Sequence, residues 1–212
     1  MAAIAQSSVC TIHVVMDGSH EPSKAYLLQA KTPQREFDFT TRTVVIQDTI
    51  NHPLVATVLV TYKDEGNKPH TYAFYAVPGD LTMHINRDDS VNTVQVTGAP
   101  LSEEYQNELS GPVMQYNHQI GLLQKKLKQA LSDSASVKAE LNKTIGLCFG
   151  VPKAYVRKHP DSPLDITALR MMGKGDPTVA DPGGEMVALF AGLAPEIQGS
   201  EEGKAFKERL GK

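Results

Sequence analysis

Near Pro100 the hydrophobic period of this chain changes from two to about 3.6, and that change constrains the fold more than any motif does. In residues 8–98 apolar side chains tend to alternate with polar ones, and β-branched residues are dense. Cys10, Ile12, Val14 and Met16 share one face of a first strand. The stretches KAYLLQAK, REFDFTT, RTVVIQDT, LVATVLVTYK, HTYAFYAV, LTMHIN and VNTVQVTG follow as strand candidates. Turn signals such as Asp17-Gly18, Gly66-Asn67 and Pro78-Gly79-Asp80 separate them. About eight short strands, with no room for crossover helices between them, predict an antiparallel sandwich or barrel rather than a βαβ sheet.

After residue 100 the pattern is helical. Ser102 stands as an N-cap, with Glu103 and Glu104 in the first turn. Tyr105, Leu109, Tyr116, Ile120, Leu123, Leu127 and then Ala130 or Leu131 recur at three and four residues, one apolar stripe of an amphipathic helix. Gly111-Pro112 predicts a kink or break within it. A second helix is expected over 136–159, weakened near Gly150-Val151-Pro152. It ends at His159, which precedes Pro160 and is biased away from helix. Ser162 with Pro163 then starts a short helix that Met171-Met172-Gly173 closes, so YVRKHPDSPLDITAL reads as a sharp helix-to-helix corner. A loop, GKGDPTVADPGG, and two short helices, EMVALFAGL and SEEGKAFKERL, complete the chain.

Composition removes several function classes. The chain has 212 residues, enough for one large domain or two small ones. Its formal net charge of −3 offers no basic balance for nucleic acid, and QKKLKQ reads as the solvated face of a helix. No stretch approaches the ~20 continuous apolar residues of a membrane helix. The start, MAAIAQSS, has the small-x-small form of a signal-peptidase site without the charged and apolar regions that precede one.

Motifs with chemistry are few. The seven histidines show no His-x-His or His-Glu-x-x-His spacing, and His13 and His84 fall at alternating strand positions. There is no Gly-x-Ser-x-Gly elbow, P-loop or Gly-x-Gly-x-x-Gly, and GKGDP lacks the flanks of a phosphate loop. Asp88-Asp89, Glu103-Glu104 and Glu201-Glu202 lie at turns or helix starts, where helix-dipole complementarity accounts for the last two. No catalytic residue, metal ligand or cofactor is therefore assigned. Tyr62, Tyr72, Phe74 and Tyr75 form the one aromatic set dense enough to be a binding face, against which stands the plainer reading as sheet core.

The two cysteines, Cys10 and Cys148, are too far apart in sequence for a Cys-x-x-Cys pair. Each has apolar neighbours, the setting of an inert buried thiol. In an oxidising compartment the two could instead staple the first strand to the second helix, a bridge worth ~3–5 kcal/mol if unstrained.

The order of several blocks resembles a known family. KAYLLQAK, TYAFYAVPGDLTMHI, VQVTGAPLSEEYQ, YVRKHPDSPLDITAL and LFAGLAPEIQGSEEGKAFKERL look like successive blocks of domain of unknown function 4369. The GAPLSEEYQ junction, the His-Pro-Asp-Ser corner and the ending built on Leu193, Pro195, Ser200, Gly203 and Lys204 are its most specific parts. The resemblance implies export to the periplasm or cell envelope of a Gram-negative gut bacterium, so residues 1–7 become a signal-peptide remnant. It also implies a covalently linked thioredoxin-like domain after Lys212 carrying Cys-x-x-Cys, which this chain does not contain. No catalytic residue of that architecture lies in the part present here.

The expectation is an α+β protein: an N-terminal antiparallel β-sandwich of about eight strands over 8–99, then a helical segment over 100–212 packed on it or extending from it. The expected role is that of a non-catalytic accessory domain of an exported thioredoxin-like thiol–disulfide oxidoreductase, serving positioning, dimerisation or client binding. The alternative is a stand-alone envelope module that binds a peptide, glycan or hydrophobic ligand. A homodimer built through the helix of residues 105–131 is a third reading.

Overall fold

The structure is a computed structural model that describes residues 8–28, 35–89, 91, 94–129, 134–172 and 184–210. The signal-peptide reading of residues 1–7, the stripe positions Ala130 and Leu131, and residues 173–183 of the expected loop lie outside the described residues. The chain divides into two compact units, Met1–Met114 and Gln115–Lys212.

The first unit holds eight strands: β1 (Ser8–Asp17), β2 (Pro22–Leu28), β3 (Arg35–Asp38), β4 (Thr43–Ile50), β5 (Leu54–Tyr62), β6 (Pro69–Ala76), β7 (Gly79–Asn86) and β8 (Val94–Thr97). They form two four-stranded sheets, ordered β4-β1-β7-β8 and β3-β2-β5-β6. The period of two explains which side chains meet. Ile12, Val14, Ile46, Leu81 and Met83 from one sheet join Ala25, Val58, Val60, Tyr72 and Phe74 from the other in one buried cluster. Their intervening neighbours, such as His13, Val45 and Gln47, are exposed. The fold is α+β, with strands first and helices after.

One pairing departs from the antiparallel expectation. β1 and β7 run parallel, with Ile12 opposite Leu81 and Val14 opposite Met83. Parallel neighbours cannot be joined by a tight hairpin and need a long crossover. Here that crossover is the whole run from β2 to β6 rather than a helix, so local spacing carries no trace of it.

The helical segments are α1 (Pro100–Glu104), a π-helical turn (Tyr105–Ser110), α2 (Gly111–Gln129), α3 (Ser134–Lys158), α4 (Asp165–Met172), α5 (Glu185–Ala191), α6 (Pro195–Gly199) and α7 (Glu201–Leu210). Residues 100–114 belong to the first unit, so the boundary expected at residue 99 moves into α2. Tyr105 stacks on Tyr75 of β6 at 5.7 Å between ring centroids, and Leu109 is fully buried. Ser102 is not the N-cap. Ala99 takes that position with Pro100 at the first helical residue, where the fixed proline φ is already helical. The Ser102 hydroxyl is fully buried and donates to the carbonyl of Tyr75, while the Glu103 carboxylate accepts the Gly98 N–H at 2.8 Å.

The interruption expected at Gly111-Pro112 takes the form of the π-helical turn just before it. Proline cannot donate a hydrogen bond, and its ring crowds the carbonyl four residues back. Widening the preceding turn relieves that crowding, and the Gly111 N–H closes on the carbonyl of Gln106, five residues earlier. In the second unit α3 continues through buried Pro152 instead of weakening there.

The corner after α3 forms as its sequence predicts. The Ser162 hydroxyl oxygen accepts the Leu164 N–H at 3.1 Å and lies 2.6 Å from the buried Tyr155 hydroxyl. The Pro160 carbonyl accepts the Ala194 N–H at 2.7 Å, tying the corner to the segment before α6. At α7, Ser200 caps the helix by accepting the Gly203 N–H at 3.0 Å. A Cβ at Gly203 would lie 2.8 Å from the Gln198 carbonyl oxygen and overlap that of Ile197, so only glycine fits this approach. Phe190 and Phe206, 5.7 Å apart, anchor α5 to α7.

Candidate functional site

A group of titratable side chains lies at one end of the sandwich, where four separate segments converge. Ser19 and His20 come from the β1–β2 turn, Asp64 and Glu65 from the 3-10 turn Lys63–Glu65, His70 from the start of β6, and Arg87 and Asp88 from the end of β7. Tyr62, the last residue of β5, lies beneath them. His20 and His70 meet its ring edge-on at 6.0 and 5.5 Å.

Glu65 is the hub. One oxygen lies 2.5 Å from His70 Nε2 and the other 3.0 Å from an Arg87 guanidinium nitrogen. His20 Nδ1 lies 2.6 Å from Asp64 and 3.5 Å from Glu65, and its Nε2 lies 3.5 Å from Asp88. Asp88 in turn accepts both the amide and the hydroxyl of Ser19 at 2.8 Å. Desolvation works against ionisation of Glu65, but the hydrogen bonds of His70 and Arg87 together outweigh it and hold the carboxyl below its ordinary range. The same balance holds for Asp64, where desolvation is overcome by His20 and by backbone amides. Asp88 is lowered chiefly by Ser19.

An imidazole against a carboxylate is the arrangement that orients a general base. The hydroxyls beneath this one are poor partners for such a step. Tyr62 and Tyr72 share a buried hydrogen bond at 2.9 Å, and burial, with that bond added for Tyr62, pushes both phenols above their usual range. Among the described residues no group of three or more histidine, cysteine, aspartate or glutamate side chains could hold a metal ion. Each acid here has a cationic or hydrogen-bonding partner inside the cluster. The arrangement works as a clasp that joins the turns at this end of the sandwich.

The residues singled out in the sequence fall elsewhere or take other roles. Tyr62, Tyr72, Phe74 and Tyr75 are no binding face: none exposes more than 2% of its surface. Alternation turns Tyr62, Tyr72 and Phe74 inward to the sandwich core, and Tyr75 is covered by Tyr105. Cys10 and Cys148 are both thiols, the first in the first unit and the second in the second, where its Sγ lies 3.7 Å from Asn117 Oδ1. Burial, only partly offset by a backbone hydrogen bond from Val77, pushes the Cys10 thiol up to about 11, and desolvation raises Cys148 as well. His13 is exposed on β1, and His84 lies 3.3 Å from Asp17 at the surface.

The clasp itself escaped the sequence because its members come from four segments with no recurring spacing. The turn signals Asp17-Gly18 and Gly66-Asn67 mark two of the segments that supply it, but not their convergence. Elsewhere in the first unit a cavity of about 130 Å³ lies by the π-helical turn. In the second unit a cavity of about 520 Å³ is lined by Leu122, Leu123, Lys126 and Glu140 among others. No helix is long and apolar enough to cross a membrane among the described residues.

No family model matches the chain, and no curated protein is similar to it. A solved structure, the NMR structure of a protein from Eubacterium rectale, is similar over 52% of this chain and 100% of its own. The identity is 15% and the TM-score 0.33, a likeness too low to carry an argument about fold or function.

Proposed function

We propose that this chain is a non-catalytic accessory module of an exported thioredoxin-like thiol–disulfide oxidoreductase, which positions the redox domain and its clients. The observation that carries this reading is the state of its two thiols. Cys10 is buried with its thiol held protonated. The Cys148 thiol, in the other unit, is raised by desolvation and lies 3.7 Å from Asn117 Oδ1. Neither is set up as a thiolate, and that chemistry is assigned to another domain. The blocks that carry the family resemblance also serve as joints. Ser102 locks α1 to β6, Ser162 builds the corner after α3, and Ser200 with Gly203 starts α7. Joints of that kind suit a scaffold.

The test is the intact mass of the native protein from the envelope fraction of its source cell. A redox domain adds on the order of 100–200 residues, well above the 23.1 kDa of this chain. A mass near 23.1 kDa overturns the reading. A heavier species is then assayed for insulin reduction, with activity expected to vanish when its Cys-x-x-Cys is replaced and to survive Cys10→Ala.

A further inference from the structure

We propose that the cavity beside the π-helical turn is a binding site for a small neutral ligand of the primary carboxamide class. Its polar lining comes from Thr57 of β5, Thr71 of β6, and Gln106 and Ser110 of the turn, with Val94 and Met114 as apolar walls. No lining residue is charged, so an ionised ligand would enter without a counter-charge.

Gln106 supplies the demand for a ligand. Gln106 is 5% exposed, and its Oε1 is buried with no hydrogen-bond partner among the described residues. A buried amide oxygen left without a donor is unfavourable, and native structures rarely tolerate one. The cavity therefore calls for an N–H or O–H group placed against Gln106. The hydroxyls of Thr57 and Thr71 can each donate to an acceptor on the same ligand, while that of Ser110 is hydrogen-bonded to Tyr105. A primary carboxamide carries a donor and an acceptor in one plane, matching both needs at once. The volume of about 130 Å³ admits that head group with a short apolar stem and little more. π-Helical turns are rare and concentrate at functional sites, which agrees with this placement.

The carboxamide can come as a free small amide or as the glutamine side chain of a peptide. Both sources are tested by ¹H–¹⁵N correlation spectra of the full chain, titrated with acetamide and with glutamine blocked at both termini. Acetate at equal concentration serves as the charged isostere. The expected result is saturable shifts confined to residues around Thr57, Thr71, Gln106 and Ser110, with none from acetate. Tighter binding of blocked glutamine than of acetamide assigns the site to peptide, and the reverse order to a free amide. Gln106→Met, similar in size, should lose binding at least tenfold while keeping the remaining spectrum. Should that variant not fold, Thr57→Val is expected to weaken binding several-fold. Absence of saturable shifts with both amides, or equal shifts with acetate, overturns the proposal and leaves water as the occupant.

Discussion

The Gly111 N–H donates to the carbonyl oxygen of Gln106, and a Cβ at position 111 would lie 2.7 Å from that same oxygen. The two residues close the π-helical turn, and the side chain of Gln106 lines the cavity beside it. Glycine at 111 thus has a steric reason that no helical pattern would supply.

Gly111→Ala is expected to destabilise the first unit by about 1–3 kcal/mol, because backbone must move to admit the methyl. Helix propensity alone gives the opposite sign, a gain of up to ~1 kcal/mol. Gly146→Ala in α3 tests that side, since nothing lies within 4 Å of its added Cβ. Urea unfolding of both variants distinguishes the two effects. A stabilised Gly111→Ala would contradict the close approach.

Ser102→Ala removes a buried hydroxyl donated to the Tyr75 carbonyl. A loss of about 1–3 kcal/mol is expected, the range for a buried hydrogen bond whose partner stays behind. Ser134→Ala, at the exposed first residue of α3, should cost far less. Equal costs in thermal melts would remove the special role of Ser102.

The clasp makes stability depend on acid. Glu65, Asp64 and Asp88 all ionise more readily in the folded chain than in the unfolded one. The unfolded chain therefore binds more protons near pH 4, and stability rises with pH across that range. The contribution is complete above the ordinary carboxylate values of about 4 and is lost as pH falls through the lower folded-state values. Urea midpoints measured from pH 3 to pH 7 should show this slope. Glu65→Gln should flatten it, and an unchanged slope would mean that other acids carry it.

The thiols should differ in reactivity. Cys10 is buried with its pKa near 11, whereas Cys148 is half-buried on α3. A thiol reagent at pH 8 is expected to modify Cys148 first and Cys10 only in denaturant. Rapid native labelling of both would contradict the burial of Cys10 and weaken the scaffold reading.

The alternation of residues 8–98 was enough to place eight strands and to say which side chains face the core, because a half-buried sheet writes its burial directly into a period of two. Local chemistry was equally legible at the corner after α3. Ser162 and Pro163 act there through neighbours a few residues away. The parallel pairing of β1 with β7 was not legible, since strand order depends on contacts between residues far apart in the chain. The same holds for the clasp, where Glu65 meets His70 locally but reaches Arg87 and His20 only after the sheets have formed. Ser102 shows both sides at once. Its sequence fits a helix cap, yet Pro100 sets the helix start and the sheet beneath claims the hydroxyl. Sequence by itself determined period, punctuation and the sides that would be buried. Tertiary structure decided which strands are neighbours and which polar groups meet, because those depend on chain closure over long separations that no local pattern records.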